Sequence, residues 1–121
     1  MQPLLLTMGD PTGIGPELII KTLLEQSLEQ IRRPIQIIGD VGILCHAGKI
    51  FGCEAKPERQ KNGFYTLSFG DKKLIVHSGS ELDLTSIHYG QPDIDCGKAM
   101  ADYVEYAISR CLDKTAAGIV T

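Results

Sequence analysis

The strongest constraint on the fold of this chain is the way its first apolar run passes into a helix. Leu4–Met8 is short and apolar, as a buried strand is, and residues 9–15 then contain three glycines and a proline. Pro16 suits the first turn of a helix, where its missing N–H costs no hydrogen bond. Helical spacing places five residues on one face: Leu18, Ile19, Thr22, Leu23 and Gln26. We therefore expect a buried strand, a tight loop and an amphipathic helix, a unit typical of α/β folds.

The rest of the chain continues this alternation. A helix is expected to begin at an N-cap, Asp95, and to run to Leu112. Residues 48–63 are polar and rich in turn formers, and we assign no element there. The remaining expected elements are a strand at Pro34–Gly39, a short helix at Ile43–Ala47, a hairpin of Phe64–Phe69 and Lys73–His77 around Gly70 and Asp71, and a strand at Ala117–Thr121. This order predicts one α/β unit over 1–121, with three layers and helices on both faces of a largely parallel sheet.

Charge and composition narrow the classes of function. The 12 Lys and Arg residues against 15 Asp and Glu give a net charge of −3, and no basic stripe is present to follow a nucleic acid. No apolar run approaches the roughly 20 residues of a membrane span, and the N-terminus lacks the pattern of a signal peptide. We therefore predict a cytoplasmic protein with neither a nucleic-acid nor a membrane partner. The four cysteines include no C-x-x-C pair, which disfavours a zinc ribbon or a redox pair, and the chain lacks a signal peptide, so buried free thiols are expected.

The segment from Thr7 to Glu17 is the richest in functional information. A strand ends there, glycines allow a ligand to approach the backbone, and a helix N-terminus with free N–H groups follows. Ligands of open α/β sheets bind beyond the carboxyl ends of the strands. The segment nevertheless fits neither the G-x-G-x-x-G dinucleotide motif nor the P-loop. Its residues alone leave two alternatives open, an anion-binding loop and a plain tight turn.

Residues Gly9–Glu17 read G-D-P-T-G-I-G-P-E, which closely resembles the opening motif of the 4-hydroxythreonine-4-phosphate dehydrogenase family. Thr12 stands where that family commonly has alanine. Isocitrate and isopropylmalate dehydrogenases, which share the family's fold, open with the shorter G-D-G-I-G-P-E. The Gly39-Asp40 turn, the Gly90–Gly97 stretch and the helix to Leu112 are similar to the family in order and spacing. The resemblance implies an incomplete fold of the isocitrate/isopropylmalate dehydrogenase type.

The resemblance also implies an activity. Family members use NAD, or NADP, and a divalent metal (Zn, Mg or Co) to oxidise a phosphorylated hydroxy acid, whose product decarboxylates, in pyridoxal phosphate biosynthesis. They are longer homodimers, and their metal-binding histidines follow the position matching Thr121. We therefore expect 1–121 to be an N-terminal part that lacks the catalytic and cofactor-binding remainder and is inactive alone. Its partners would be a small phosphorylated substrate and a second subunit.

Six residues are candidates for binding substrate or cofactor: Gly9, Asp10, Pro11, Thr12, Gly13 and Thr121. Asp10 could contact the substrate or the nicotinamide end of the cofactor, or it could cap its own turn. Thr12 and Gly13 could offer a hydroxyl and a backbone donor, or could serve the turn alone. Thr121 ends the last strand, which in the family leads into the active site. We predict no catalytic and no metal-binding residue in this chain.

Several other polar residues have simpler interpretations. Glu17 suits the positive end of the helix dipole. The spacing of His46, His77 and His88 matches no metal motif. Lys98 and Arg110 are expected on the solvated face of the last helix.

Two other functions stay open. One is a non-catalytic α/β module that binds anions through the Gly9–Glu17 loop. The other is a related dehydrogenase of phosphorylated sugar acids or cyclic dihydrodiols. Because an incomplete sheet exposes an edge, we also expect self-association.

Overall fold

The computed structural model describes all residues 1–121 and contains six strands and three helices. In chain order these are β1 (Leu4–Thr7), α1 (Gly15–Leu24), β2 (Ile35–Gly39), α2 (Val41–Ile50), β3 (Lys56–Arg59), β4 (Phe64–Phe69), β5 (Lys72–Ser78), α3 (Ile94–Leu112) and β6 (Gly118–Val120). Short 3-10 turns lie at Ser27–Gln30, Lys61–Gly63 and Leu84–Ser86. The alternation of strands and helices agrees with the prediction, and β3 is the one strand that the sequence pattern did not reveal.

The six strands form one sheet in the order β3-β4-β5-β2-β1-β6. Strands β6, β1, β2 and β5 run parallel to one another. The predicted hairpin is present: β4 runs antiparallel to β5 and turns at Gly70, whose φ of +66° suits glycine. β3 adds a further antiparallel partner beside β4.

The direction of the connections puts helices on both faces of this sheet. One right-handed crossover connects β1 to β2 through α1, and a second leads from β2 through α2 toward the parallel strand β5. Both place their helices on the same face, where α1 and α2 pack together. The chain then returns from β5 across the sheet to β6, so the same handedness places α3 on the opposite face, against β1, β2 and β6. The predicted three-layer, largely parallel α/β architecture is confirmed.

The core lies between these layers and is almost entirely apolar. Ile37, Ile38, Leu5, Leu67 and Val76 supply the sheet's fully buried side chains. Each helix contributes its own row, which comprises Ile19, Ile20 and Leu23 from α1, Ile43, Leu44 and Ala47 from α2, and Ala99, Tyr103 and Ala107 from α3. Burying such side chains contributes roughly 1.5–3 kcal/mol each and holds the strand ends in place.

Three local predictions were wrong. Leu18 is 51% exposed because α1 turns Ile19, Ile20 and Leu23 to the core instead. Gln26 has a left-handed φ of 63°, so it lies beyond the end of α1 rather than on its face. The N-cap of α3 is Asp93, which accepts the Cys96 N–H at 2.8 Å, whereas Asp95 lies in the first turn.

Candidate functional site

The carboxyl ends of β1, β2, β5 and β6 meet at one edge of the sheet. Residues 8–14 leave β1 here, Asp40 leaves β2, residues 79–93 leave β5, and Thr121 follows β6. From β1 the chain moves toward β2, but β6, on the other side of β1, is reached by the return crossover. The direction in which the connections cross the sheet therefore changes between the parallel strands β1 and β6. Open α/β sheets bind ligands in the crevice at such a switch point.

The loop after β1 is organised by an Asx turn. Asp10 Oδ1 accepts hydrogen bonds from the Thr12 N–H at 2.8 Å and from the Thr12 hydroxyl at 2.7 Å. The Gly13 N–H donates to the Asp10 carbonyl at 2.9 Å, and Gly9 takes a left-handed φ of +78°. Pro11 and Thr12 are buried, whereas Asp10 is half-buried. The turn therefore uses the Thr12 hydroxyl internally and leaves Asp10 Oδ2 as the loop's unengaged carboxylate oxygen.

The N-terminus of α1 follows this turn and packs tightly against the backbone at the end of β1. The N–H groups of Ile14, Gly15 and Glu17 donate to no acceptor in the chain. A Cβ on Gly15 would come within 2.2 Å of the Met8 carbonyl oxygen, so only glycine lets the helix start this close to β1. These free donors and the helix dipole favour an anionic group at this position. Glu17 lies in the first turn, as expected.

Residues 79–93 pass over the same edge and contact the loop. The Gly90 N–H donates to the Thr12 carbonyl at 2.8 Å. Next to it, the Tyr89 ring stacks on His46 of α2, with 6.0 Å between ring centroids and 15° between planes. Burial raises the pKa of the Tyr89 hydroxyl, and the nearby Glu17 charge adds to the effect. This segment thus forms a second wall beside the Asx turn.

A buried carboxylate holds residues 79–93 in place. It was not among the predicted site residues. Asp40 is 2% exposed and caps α2 by accepting the Ile43 N–H at 3.1 Å. Its Oδ2 also accepts the Ser80 hydroxyl and the Leu82 N–H, both at 2.8 Å. Ser80 Oγ lies 2.5 Å from the Tyr103 hydroxyl, whose pKa is raised mainly by burial. The sequence did contain a signal for this capping role. A Gly-Asp pair ends a strand just before an apolar helix, and Asp is a preferred N-cap residue.

Thr121 lies at the same edge of the sheet as the loop, at the end of the neighbouring strand β6. It is exposed and borders a groove shared with Thr7 and Gly15. Gly9–Gly13, which follow β1, and Thr121, which follows the neighbouring β6, are thus brought to the same end of the sheet. Their assignment to substrate or cofactor stays a prediction.

The three histidines lie apart, and no group of three or more His, Cys, Asp or Glu side chains in the chain could hold a metal ion. His46 stacks on Tyr89 at the carboxyl edge. His77 lies on β5 beneath α3, where its ring stacks on Tyr106 at 3.9 Å between centroids. His77 Nδ1 is buried without a hydrogen-bond partner. Burial, together with the Arg110 charge, lowers the pKa of His77.

Arg110 does not lie on a solvated face, contrary to the prediction. Its guanidinium donates to the Gln36 side chain at 3.1 Å and to Thr115 Oγ1 at 2.7 Å. The group also lies 5.8 Å from the centroid of the Phe64 ring. Lys98, in contrast, is exposed as expected.

All four cysteines are free thiols, as predicted, but three of them, Cys45, Cys53 and Cys111, are only partly buried rather than buried. Cys96, at the start of α3, is the only fully buried one, and burial with the Asp93 hydrogen bond raises its pKa to about 11. No helix is long and apolar enough to cross a bilayer.

These features define an α/β protein whose glycine-rich turn and helix N-terminus lie at the reversal point of a largely parallel sheet. No family model matches the chain. It is similar to the 4-hydroxythreonine-4-phosphate dehydrogenase of Geobacter metallireducens, at 31% identity over 121 residues, which is 98% of this chain and 34% of the relative. The D-threonate 4-phosphate dehydrogenase of Cupriavidus necator is 33% identical over 122 residues, 96% of this chain and 34% of that relative.

The fold has a solved counterpart. The crystal structure of a 4-hydroxythreonine-4-phosphate dehydrogenase from Burkholderia phymatum matches with a TM-score of 0.79 and 23% identity, over 98% of this chain and 35% of that one. The predicted resemblance to these dehydrogenases is confirmed. The chain spans about a third of the length of the curated relatives it matches, which is consistent with an N-terminal portion.

Proposed function

We propose that these residues form part of an NAD-dependent dehydrogenase that oxidises a phosphorylated hydroxy acid resembling 4-phosphohydroxythreonine. The product would then decarboxylate, as a step of pyridoxal phosphate biosynthesis. The observation that carries the proposal is the ordered Asx turn of Asp10 in front of the α1 N-terminus, in a chain similar to such dehydrogenases over 98% of its length.

In this proposal the loop binds and orients the ligands. Free N–H groups of Ile14, Gly15 and Glu17 suit a phosphate oxygen, because they donate without a rearrangement of the helix. Asp10 Oδ2 would accept a hydrogen bond from a hydroxyl or carboxamide of substrate or cofactor. Thr121 and Gly9–Gly13 would border the bound molecules at the carboxyl ends of β6 and β1. NAD, when bound, supplies the acceptor for the hydride.

The divalent metal does not fit the residues present. Because no group of three ligating side chains exists in the chain, its ligands would have to come from residues outside these 121. We assign no step of the reaction to a metal here. On the same ground, the 121-residue chain alone is expected to turn over no substrate.

The experiment compares this chain with the complete reading frame that contains its 121 residues. NADH formation is followed with 4-phosphohydroxythreonine, then with D-threonate 4-phosphate, in the presence of magnesium or zinc. Activity of the complete product, lost or strongly reduced in Asp10→Ala, is the expected result. A complete product that binds NAD but oxidises neither substrate would contradict the proposal.

The substrate of the Cupriavidus relative supports a second candidate, a dehydrogenase of a phosphorylated sugar acid. The ratio of kcat/KM for the two substrates separates the candidates. A non-catalytic anion-binding module is a third, favoured by the free N–H groups at α1. Calorimetric titration of the 121-residue chain with inorganic phosphate and NAD tests it: tight binding without turnover by the complete product would support the module.

A further inference from the structure

A cavity of about 630 Å³ lies at the end of the sheet opposite the candidate site. It opens where β2 and β5 begin, since Ile35 and Lys72 are the first residues of these parallel strands and both line it. The end of α1, the 3-10 turn that follows it, residues 31–35 and the β4–β5 hairpin form its walls. Sites for small organic molecules measure roughly 300–1,000 Å³, so this cavity has the size of a binding site that the proposed function does not use.

The apolar lining of this cavity is aliphatic throughout. Six side chains supply it, and none of them is aromatic: Leu23, Leu28, Ile31, Ile35, Leu74 and Ile75. Leu23 and Leu74 belong to the buried core, whereas Ile31 and Ile75 are 44% and 43% exposed and leave apolar surface in contact with solvent. Because the lining offers no aromatic ring on which a base could stack, it suits an aliphatic group better than a nucleotide.

Cationic side chains surround this aliphatic lining. Four of the chain's 12 Lys and Arg residues border the cavity, whereas only two of its 15 Asp and Glu residues do so. The four cations are Arg32, Arg33, Lys72 and Lys73, and the two carboxylates are Glu29 and Asp71. The cavity therefore has an excess of positive charge in a chain whose net charge is −3. Such a local excess attracts an anionic ligand.

Three of these cations are available to a ligand. Arg32 and Lys73 are exposed and take part in no ion pair within the chain. The Lys72 side chain is only 11% exposed, and its ammonium group lies 3.0 Å from a carboxylate oxygen of Glu29, whose own side chain is 63% exposed. An ion pair with such an exposed partner contributes little. A ligand anion can therefore replace Glu29 at an ammonium group that is already largely desolvated.

We propose that this cavity binds an aliphatic anion, that is, a phosphate or carboxylate group joined to a hydrocarbon chain of medium length. The anionic group would contact Lys72 and Arg32, and the hydrocarbon chain would cover the exposed parts of Ile31 and Ile75. Charge and apolar surface thus act on the two ends of one ligand. The proposal is independent of the proposed function, because the cavity lies at the opposite end of the sheet and its occupation requires no dehydrogenase activity.

The test is calorimetric titration of the complete product of the reading frame with decyl phosphate, at concentrations where this ligand is monomeric. We expect saturable binding of one ligand per chain. Octyl phosphate should bind about tenfold more weakly, because it buries two methylene groups fewer. Inorganic phosphate carries only the charge and 1-decanol only the hydrocarbon chain, so each should also bind at least about tenfold more weakly than decyl phosphate.

Two substitutions locate the binding site. Lys72→Met keeps the length of the side chain and removes its charge, and Arg32→Gln removes an exposed cation that has no ion-pair partner in the chain. Each should weaken the binding of decyl phosphate about tenfold. Lys98→Met is the matched control, because Lys98 is exposed on α3 outside the cavity and should leave binding unchanged. Thermal unfolding verifies that each variant is folded, and Arg32→Gln suffices should Lys72→Met be unstable.

Four outcomes would overturn the proposal. Decyl phosphate does not bind saturably, or 1-decanol binds as tightly as decyl phosphate does. Binding stays unchanged in the variants of the cavity, or falls equally in Lys98→Met, so that the ligand lies elsewhere. Vesicles of phosphatidylglycerol, but not of phosphatidylcholine, sediment the protein although decyl phosphate does not bind, which would assign the cations to a membrane surface instead. None of these readouts involves NADH, so a failed dehydrogenase assay is a separate result.

Discussion

The carboxylate of Asp40 accepts a hydrogen bond from the hydroxyl of Ser80 at 2.8 Å, and this contact joins the two helical layers across the end of the sheet. On one side Asp40 caps α2 through the Ile43 N–H. On the other, Ser80 Oγ meets the Tyr103 hydroxyl of α3. Because Leu82 also donates to Asp40, the residues that follow β5 are fixed next to the candidate site.

Replacing Asp40 with alanine should therefore destabilise the fold markedly. The change removes a helix cap and leaves the part-buried Ser80 hydroxyl and Leu82 N–H without this acceptor, for a loss of about 3 kcal/mol in the free energy of unfolding. Urea denaturation followed by circular dichroism measures it. Asp83→Ala is the control, because Asp83 caps an exposed 3-10 turn and should cost much less. Equal losses for the two variants would refute the anchoring role of Asp40.

The features of this site that could be predicted from the sequence are formed by residues close to one another along the chain. The Asx turn, Pro16 at the start of α1 and the Gly70 hairpin are set by residues a few positions apart, so their signals are local. The Asp40 contacts are different: Ser80 is 40 residues away and Leu82 is 42 residues away. No local pattern records which side chains will meet a buried carboxylate from that distance.

The elements that were missed or misplaced follow the same logic. Lys56–Arg59 is fully exposed and forms a strand only because β4 offers it a partner. Helical spacing identified an apolar side of α1, but it did not say which residues the sheet would cover, and Leu18 proved to lie outside. Arg110 appeared solvated because Gln36, its partner on β2, is distant in sequence.

Two glycines at helices should respond to alanine in opposite directions. Gly15→Ala would place Cβ 2.2 Å from the Met8 carbonyl oxygen, and such overpacking against backbone should cost about 2 kcal/mol or more. Gly97, inside α3, has nothing within 4 Å of its added Cβ. There alanine should stabilise by roughly 0.5–1 kcal/mol, because it has the higher helix propensity. Thermal and urea unfolding of both variants tests the pair, and a stabilised Gly15→Ala would show that the loop and β1 are not this close.

The stack of His77 on Tyr106 should make stability depend on pH. Burial, with Arg110 nearby, lowers the folded-state pKa of His77 below its usual 6.5. The unfolded chain therefore binds the proton more readily, so the stabilisation is complete above pH 6.5 and is lost as pH falls through the folded-state pKa. We expect the free energy of unfolding to decrease as the pH falls below about 6.5, above the range in which most carboxylates titrate.

His77→Phe tests the assignment, since phenylalanine keeps the ring stack and cannot titrate. The variant should lose most of the pH dependence in that window. His88→Gln is the control, because His88 is exposed and should leave the pH profile unchanged. Should the His77→Phe profile keep the slope of the original chain, another group would be responsible.

Two substitutions of Asp10 distinguish its role in ordering the candidate loop from the role of its charge in ligand binding. Asp10→Ala removes the acceptor of the Thr12 N–H and hydroxyl, a loss of roughly 1 kcal/mol, so the Thr12 amide should exchange several-fold faster with solvent. Asp10→Asn keeps an acceptor oxygen and should preserve the protection of that amide while removing the charge. Hydrogen exchange followed by NMR measures the first effect, and titration with NAD or phosphate measures the second. If the carboxylate acts on a ligand, binding must change in Asp10→Asn although the turn stays ordered; unchanged binding would leave Asp10 as a turn residue alone.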